Sequence, residues 1–169
     1  DLRVVGLADN GYLDVHIQRA DLADEIEADA RLFEPGLQAC GFTLHMDLLK
    51  QPVHCDPARI RQALLAMLDN LKRHATPGTV TVSLGSLDGV NTLSVADAGP
   101  GIDEAFAAHI FEPFQRGESS RSRAQGGSGL GLAVVRAIAM AHEGRVACRN
   151  LESGGSLFEL TWPERPVAI

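Results

Sequence analysis

An α+β fold, a two-layer sandwich with helices over one face of a mixed sheet, is predicted by three features of the 169-residue sequence. Strand-like alternation comes in pairs separated by turn signals, as hairpins do. Three stretches repeat apolar residues at helical spacing. These helical stretches sit early and centrally rather than between successive single strands, which favours an α+β layering over an alternating one. The length falls in the range of one domain.

Residues 1–20 (DLRVVGLADNGYLDVHIQRA) mix short apolar stretches with Asn10-Gly11 and read as a linker or remnant of a preceding segment. The domain is expected over 21–165, with 166–169 as a tail. Asp21 is a candidate N-cap, and Leu22, Ile26, Leu32 and Leu37 mark a helix that Gly41 ends. Residues 43–48 alternate as a strand. Asp56-Pro57 has the form of an N-cap followed by a first-turn proline, and Ile60, Leu64, Met67 and Leu71 mark one apolar helical face. After Pro77-Gly78, residues 79–84 alternate with Val80, Val82 and Leu84 on one side. Asp88-Gly89 is a hairpin signal, and 91–96 is the partner strand. A short helix is expected over 103–110, followed by a polar, glycine-rich loop over 115–128 (QRGESSRSRAQGGS). Leu130, Val134, Ile138 and Ala141 mark a third long helix, and strands follow at 145–149 and 156–162.

Composition removes several classes of function. A formal charge of −7 disfavours a nucleic-acid binder that relies on phosphate contacts. Cys40, Cys55 and Cys148 are odd in number, widely spaced and form no CxxC pair, so neither a disulfide framework nor a zinc site is suggested and a cytoplasmic setting fits. No apolar run approaches the length of a membrane span, and no signal-peptide pattern is visible. The six histidines show no HExxH or other ligand spacing.

The chemistry is expected where glycine concentrates. Ten of the 17 glycines fall between Gly99 and Gly155. They form three main clusters: Gly99 and Gly101; Gly126, Gly127, Gly129 and Gly131; Gly154 and Gly155. Such clusters at the borders of strands and helices suit a bound phosphate compound. Gly129 to Gly131 open the third helix, whose first N–H groups lack intrahelical partners and carry the positive end of the dipole. On the second helix, Asn70 lies roughly 80° from the apolar stripe at 100° per residue, at the border of the core. A neutral carbonyl there suits Mg²⁺ when phosphates and waters supply the other oxygens, and Arg73 one turn on could meet a phosphate.

In order, these stretches resemble the N, G1, F, G2 and G3 boxes of bacterial sensor histidine kinases, within the superfamily shared with Hsp90, DNA gyrase and MutL. The boxes are RIRQALLAMLDNLKRHATPG (59–78), DAGPGI (97–102), FEPF (111–114), GGSGLGL (126–132) and GGSLF (154–158). The resemblance covers about residues 21–163. It implies a Bergerat-type ATP-binding sandwich, its mostly antiparallel sheet covered on one face by helices, with a mobile ATP lid at about 103–128. It implies ATP and Mg²⁺ as ligands, with Asn70 on the metal and Arg73 on phosphate as the catalytic pair. Asp97 would accept a hydrogen bond from the adenine amine, supported by Ser156. Gly99 and Gly101 would let the backbone pass the base, with Ile102 beside it, and His74 would lie near adenine or ribose. Phe111 and Phe114 would anchor the lid, while Gly127, Gly129, Leu130, Gly131 and Leu132 would line the phosphates.

Two departures from that pattern matter. Ala66 stands where many histidine kinases have a first Asn, and where the hydrolytic branch has a glutamate general base, so ATP hydrolysis is disfavoured as the main activity. Leu71 and His74 replace the usual Ala and Tyr. The implied reaction is transfer of the ATP γ-phosphoryl group to a histidine on a dimerisation segment outside this chain, then relay to an aspartate of a response regulator. His142 alone is followed by an acidic residue, and it ends the third helix, so no acceptor is expected within the chain. The expected partners are that segment and the response regulator, with no nucleic acid and no membrane contact. The domain is expected to be cytoplasmic, in a parent anchored in the inner membrane. The alternatives are a non-catalytic ATP sensor and a serine kinase of the anti-sigma-factor type.

Overall fold

A computed structural model describes residues 13–115 and 129–164. Its main sheet has five strands in the order β2-β4-β5-β7-β6, formed by β2 (Thr43–Leu48), β4 (Thr79–Leu87), β5 (Val90–Asp97), β6 (Arg145–Asn150) and β7 (Ser156–Pro163). All neighbours are antiparallel except β2 and β4, which run parallel with Thr43 opposite Thr79. The parallel pair follows from the helix lying between the two strands in sequence, since a parallel return needs a long crossover.

Among the described residues, four helices accompany the sheet: α1 (Leu22–Gln38), α2 (Pro57–His74), the short α3 (Glu104–Ala107) and α4 (Gly131–Ala141). Val80, Val82, Leu84, Leu93, Val95, Phe158, Leu160 and Trp162 point from the sheet into one buried layer. They meet Ile60, Leu64, Met67, Leu68 and Leu71 of α2 and Leu132, Val135 and Ile138 of α4 in the same core. The period-2 and period-3.6 patterns therefore face each other across one core. The opposite face of the central strands carries Thr81, Ser83, Thr92 and Ser94, partly exposed.

Several boundaries differ from the sequence expectations. In α1, Leu32 is 83% exposed. The helix instead buries Leu22, Ala23, Ile26, Asp29, Ala30 and Leu37, so its inner face is rotated away from Leu32. Asp29 can lie inside because Arg61 of α2 grips it with two bonds, Nε to Oδ2 at 2.6 Å and Nη2 to Oδ1 at 2.9 Å. Asp21 sits at the N-cap position of α1 without a side-chain capping bond. Asp56 does cap α2, accepting from the Arg59 N–H at 3.1 Å, a bond worth about 1 kcal/mol. The helix expected over 103–110 is confined to one turn, with turns after it.

Two strands were not expected. β1 (Gln18–Ala20) pairs antiparallel with β3 (Val53–Cys55) in a separate ribbon. Each has only three residues, too few for alternation to stand out. The ribbon and the buried Leu13 tie part of the 1–20 segment to the domain body.

Candidate nucleotide-binding site

The alternation of β5 places Leu93, Val95 and Asp97 on the buried side, so the strand ends with a carboxylate at a core position. Asp97 is 7% exposed and Ser156, the first residue of β7, is 3% exposed. The Ser156 hydroxyl donates to Asp97 Oδ2, and the Gly99 N–H donates to Oδ1 at 2.8 Å. An ionised carboxylate has about four lone-pair sites, so both oxygens retain acceptor capacity toward a ligand. Gly155 has φ of 92°, and a Cβ there would run into the Asp97 carbonyl oxygen. Its glycine thus lets the turn before β7 lie flat on the end of β5. Gly155, grouped by sequence with the phosphate-binding glycines, is explained by this contact of two backbones, and Gly154 by its φ of 91°.

The end of α2 flanks the same loop. A Cβ on Gly99 would lie 3.6 Å from the Thr76 Cβ, which puts the residues after α2 against residues 97–99. His74 closes α2, and partial burial, reinforced by the Arg73 charge, holds its imidazole below the ordinary pKa, with Asp69 opposing the shift. Arg73 donates to Asp69 Oδ2 at 2.8 Å along the exposed helix surface. Such a pair is worth about 0.3–0.5 kcal/mol, so it is a weak restraint on Arg73.

α2 and α4 run antiparallel. His142 at the C-terminal end of α4 accepts at Nε2 from the Asp56 N–H at 3.0 Å, beside the start of α2. The start of α4 lies against the middle of α2, where a Cβ on Gly131 would be 4.0 Å from the Ala66 carbonyl oxygen. Asn70, half-buried, lies one turn further along α2 and so at the same end. α4 begins without a side-chain cap and with no acidic residue in its first turn. Leu130 and Leu132 are 5% and 6% exposed. Their side chains serve the core, and only their backbone can meet a ligand.

Phe111 and Phe114 divide their roles. Phe111 is buried and meets Phe158 edge-on, ring centroids 6.3 Å apart. Phe114 is 63% exposed, so its side chain is not buried in the core. Its N–H donates to the Gly129 carbonyl at 3.0 Å, which joins the residues flanking 115–128. Gly127, Gly126 and half of the expected lid, including Arg116, Arg121 and Arg123, lie outside the described residues. Sequence reasoning missed Asn150, which bonds the Ile102 backbone at both ends of its amide. It belongs to no motif, and only its position opposite Ser156 in the β6–β7 register pointed to it.

Among the described residues, no three His, Cys, Asp or Glu side chains gather to hold a metal ion. The residues fit a metal that arrives with its own phosphate ligands and takes one neutral oxygen from Asn70. A central strand ending in a buried carboxylate, with the start of a helix that has no acidic residue in its first turn nearby, is an arrangement suited to a nucleotide. The chain belongs to the histidine kinase-, DNA gyrase B-, and HSP90-like ATPase family, which matches residues 55–166.

Its similarities lie with sensor histidine kinases. The probable sensor histidine kinase TcrY of Mycobacterium tuberculosis is 38% identical over 133 residues, covering 77% of this chain and 27% of that protein. The histidine kinase AdeS of Acinetobacter baumannii superposes with a TM-score of 0.81 at 30% identity, covering 98% of this chain and 76% of that structure. Full-length ShkA, solved in complex with AMPPNP, superposes with a TM-score of 0.83 at 25% identity, covering 99% of this chain and 35% of that one. The chain spans between 23% and 35% of the length of the curated relatives that it matches first. No helix among the described residues is long and apolar enough to cross a membrane.

Proposed function

We propose that this chain is the ATP-binding catalytic domain of a two-component sensor histidine kinase, and that it donates the ATP γ-phosphoryl group to a histidine on a separate dimerisation segment. The observation that carries this reading is the Asp97 carboxylate, buried and held by Ser156 and Gly99, at one end of a site whose other end is the glycine-opened start of α4 near Asn70, with no acidic residue in its first turn. One end suits a base with an exocyclic amine; the other suits an anion. The similarity to sensor histidine kinases supports the class of reaction, and the AMPPNP complex of ShkA supports an ATP-like ligand.

In this reading Asp97 accepts the adenine amine proton, and Gly99, Gly101, Ile102 and His74 border the base. Gly127, Gly129, Leu130, Gly131 and Leu132 offer backbone to the phosphates. Asn70 gives its carbonyl to Mg²⁺, which when bound neutralises phosphate charge. Arg73 turns to a phosphate oxygen, a move that its exposed pair with Asp69 opposes only weakly. The acceptor histidine nitrogen attacks the γ-phosphorus, the bond to the β–γ bridging oxygen breaks, and ADP leaves. Phosphoryl transfer depends chiefly on positioning and charge stabilisation, so a domain lacking the acceptor should not label itself. Relay to a response-regulator aspartate then follows outside this domain, in a parent anchored in the inner membrane.

The test is incubation with γ-labelled ATP, alone and with a separately made dimerisation segment of the same parent. Acid-labile label on the added segment alone is the expected result. Acid-stable label on this chain would favour a serine kinase. ATP binding without any transfer to the segment would favour a non-catalytic sensor.

A further inference from the structure

The loop from Asp97 to Ile102 is fastened at both ends by the same neighbouring hairpin. Asn150 closes β6 and stands opposite Ser156, which opens β7. Ser156 holds Asp97 at the start of the loop. Asn150 holds its end: Oδ1 accepts from the Ile102 N–H at 2.8 Å, and Nδ2 donates to the Ile102 carbonyl at 2.8 Å. The amide thereby acts as a strand would, offering one donor and one acceptor to one residue's backbone. Gly101 has φ of 86°, and a Cβ there would lie 2.5 Å from Asn150 Oδ1 and 3.0 Å from its Cγ. The glycine at this position is therefore required by Asn150 as well as by any base passing the loop.

From this arrangement we infer that Asn150 is a positioning residue for the adenine end of the site, acting through the Ile102 backbone. The inference rests on the proposed reading that residues 97–102 receive the base. Ile102 is half-buried and packs on the core, so its side chain is placed from below by packing and its backbone from the side by Asn150. Loss of the amide leaves the Ile102 end of the loop held by side-chain packing alone. The cost should fall on every nucleotide that carries adenine, whatever its phosphate count.

The experiment compares ATP and ADP binding by calorimetry for the unaltered chain and for Asn150→Ala, Asn150→Asp and Arg149→Ala, with hydrogen exchange at the Ile102 amide. Arg149 is on the same strand and 3.6 Å from Glu159, so it controls for changes to β6 itself. The expected result is an about tenfold loss of affinity in Asn150→Ala, equal for ATP and ADP, with faster exchange at Ile102 and unchanged affinity in Arg149→Ala. Asn150→Asp keeps the shape and the acceptor but sets a carboxylate oxygen against the Ile102 carbonyl, so it should lose affinity for both nucleotides too. It carries the same test should Asn150→Ala melt too early to titrate. Unchanged affinity in the folded Asn150 variants, a loss confined to ATP, or an equal loss in Arg149→Ala would overturn the inference while leaving the ATP-binding reading intact. Failure of the unaltered chain to bind ATP would overturn that reading first, and this inference with it.

Discussion

The two long helices that pack against each other begin in opposite ways. α2 starts on Asp56, whose side chain caps the Arg59 N–H, whose own N–H is taken by His142, and whose Oδ2 accepts from the His16 N–H at 3.0 Å. α4 starts on Leu130 and Gly131, with no capping bond from the Leu130 side chain and no acidic residue in its first turn. At the first end the protein satisfies its own polar groups. At the second it leaves a positive helix end without a side-chain cap, and that end lies beside Asn70. The difference separates a helix start that the protein satisfies itself from the one that the proposed function assigns to the phosphates.

The largest test of this contrast is Asp97→Asn. An amide at 97 presents a donor as well as an acceptor and cannot serve the adenine amine as a carboxylate does. ATP affinity should fall about 10- to 150-fold, with little change in melting temperature. Undiminished ATP affinity in calorimetry would remove Asp97 from the site.

At the opposite end, His142→Ala should destabilise the fold by about 2 kcal/mol, because it strips the acceptor from a buried N–H. Nucleotide affinity of the folded fraction should not move. His142 also gives stability a pH dependence of known sign. Its Nε2 accepts from Asp56, and burial, the largest influence, holds the ring below its ordinary pKa of 6.5. Below that pH the unfolded chain takes up a proton that the folded one resists, so stability is full above about 6.5 and falls as the solution is acidified. Thermal melts at neutral and mildly acidic pH should show the fall in the parent and a smaller one in His142→Ala. Equal slopes in both would assign the effect elsewhere.

Much of this contrast was legible before any coordinates. Asp56-Pro57 reads as a helix start because both residues act locally, one as cap and one as a fixed φ. Val80, Val82 and Leu84 declared their strand by alternation, and the 130–141 helix by its apolar period. The ribbon Gln18–Ala20 with Val53–Cys55 was not legible, since three-residue strands carry no period and their pairing is set by tertiary contact. Leu32 misled because a leucine in helical register was taken for a core residue, whereas Asp29, paired with Arg61, occupies the inner face. In the site, Asp97, Ser156 and the glycines belong to short motifs and could be named. Asn150 acts across 48 residues of sequence and could not. The buried sides of Leu130 and Leu132 were hidden for the same reason, because a motif does not say which atoms of a residue do the work.

Two smaller effects sharpen the phosphate end. Asn70→Ala should weaken binding of Mg-ATP more than of metal-free ATP, because the lost carbonyl serves the metal. Equal losses with and without Mg²⁺ would rule out direct ligation. Smaller still, Asp69→Ala removes one exposed partner of Arg73 and should raise Mg-ATP affinity by no more than about twofold. A large loss of affinity in that variant would place Asp69 itself in the site.

The most direct measurement of the central claim is a calorimetric comparison of Mg-ATP and Mg-GTP binding to the unaltered chain. A buried carboxylate on the adenine amine would be left facing the guanine carbonyl, at a cost of about 1.5–3 kcal/mol. The account therefore predicts binding of Mg-ATP and at least tenfold weaker binding of Mg-GTP. Equal affinity for the two would contradict it.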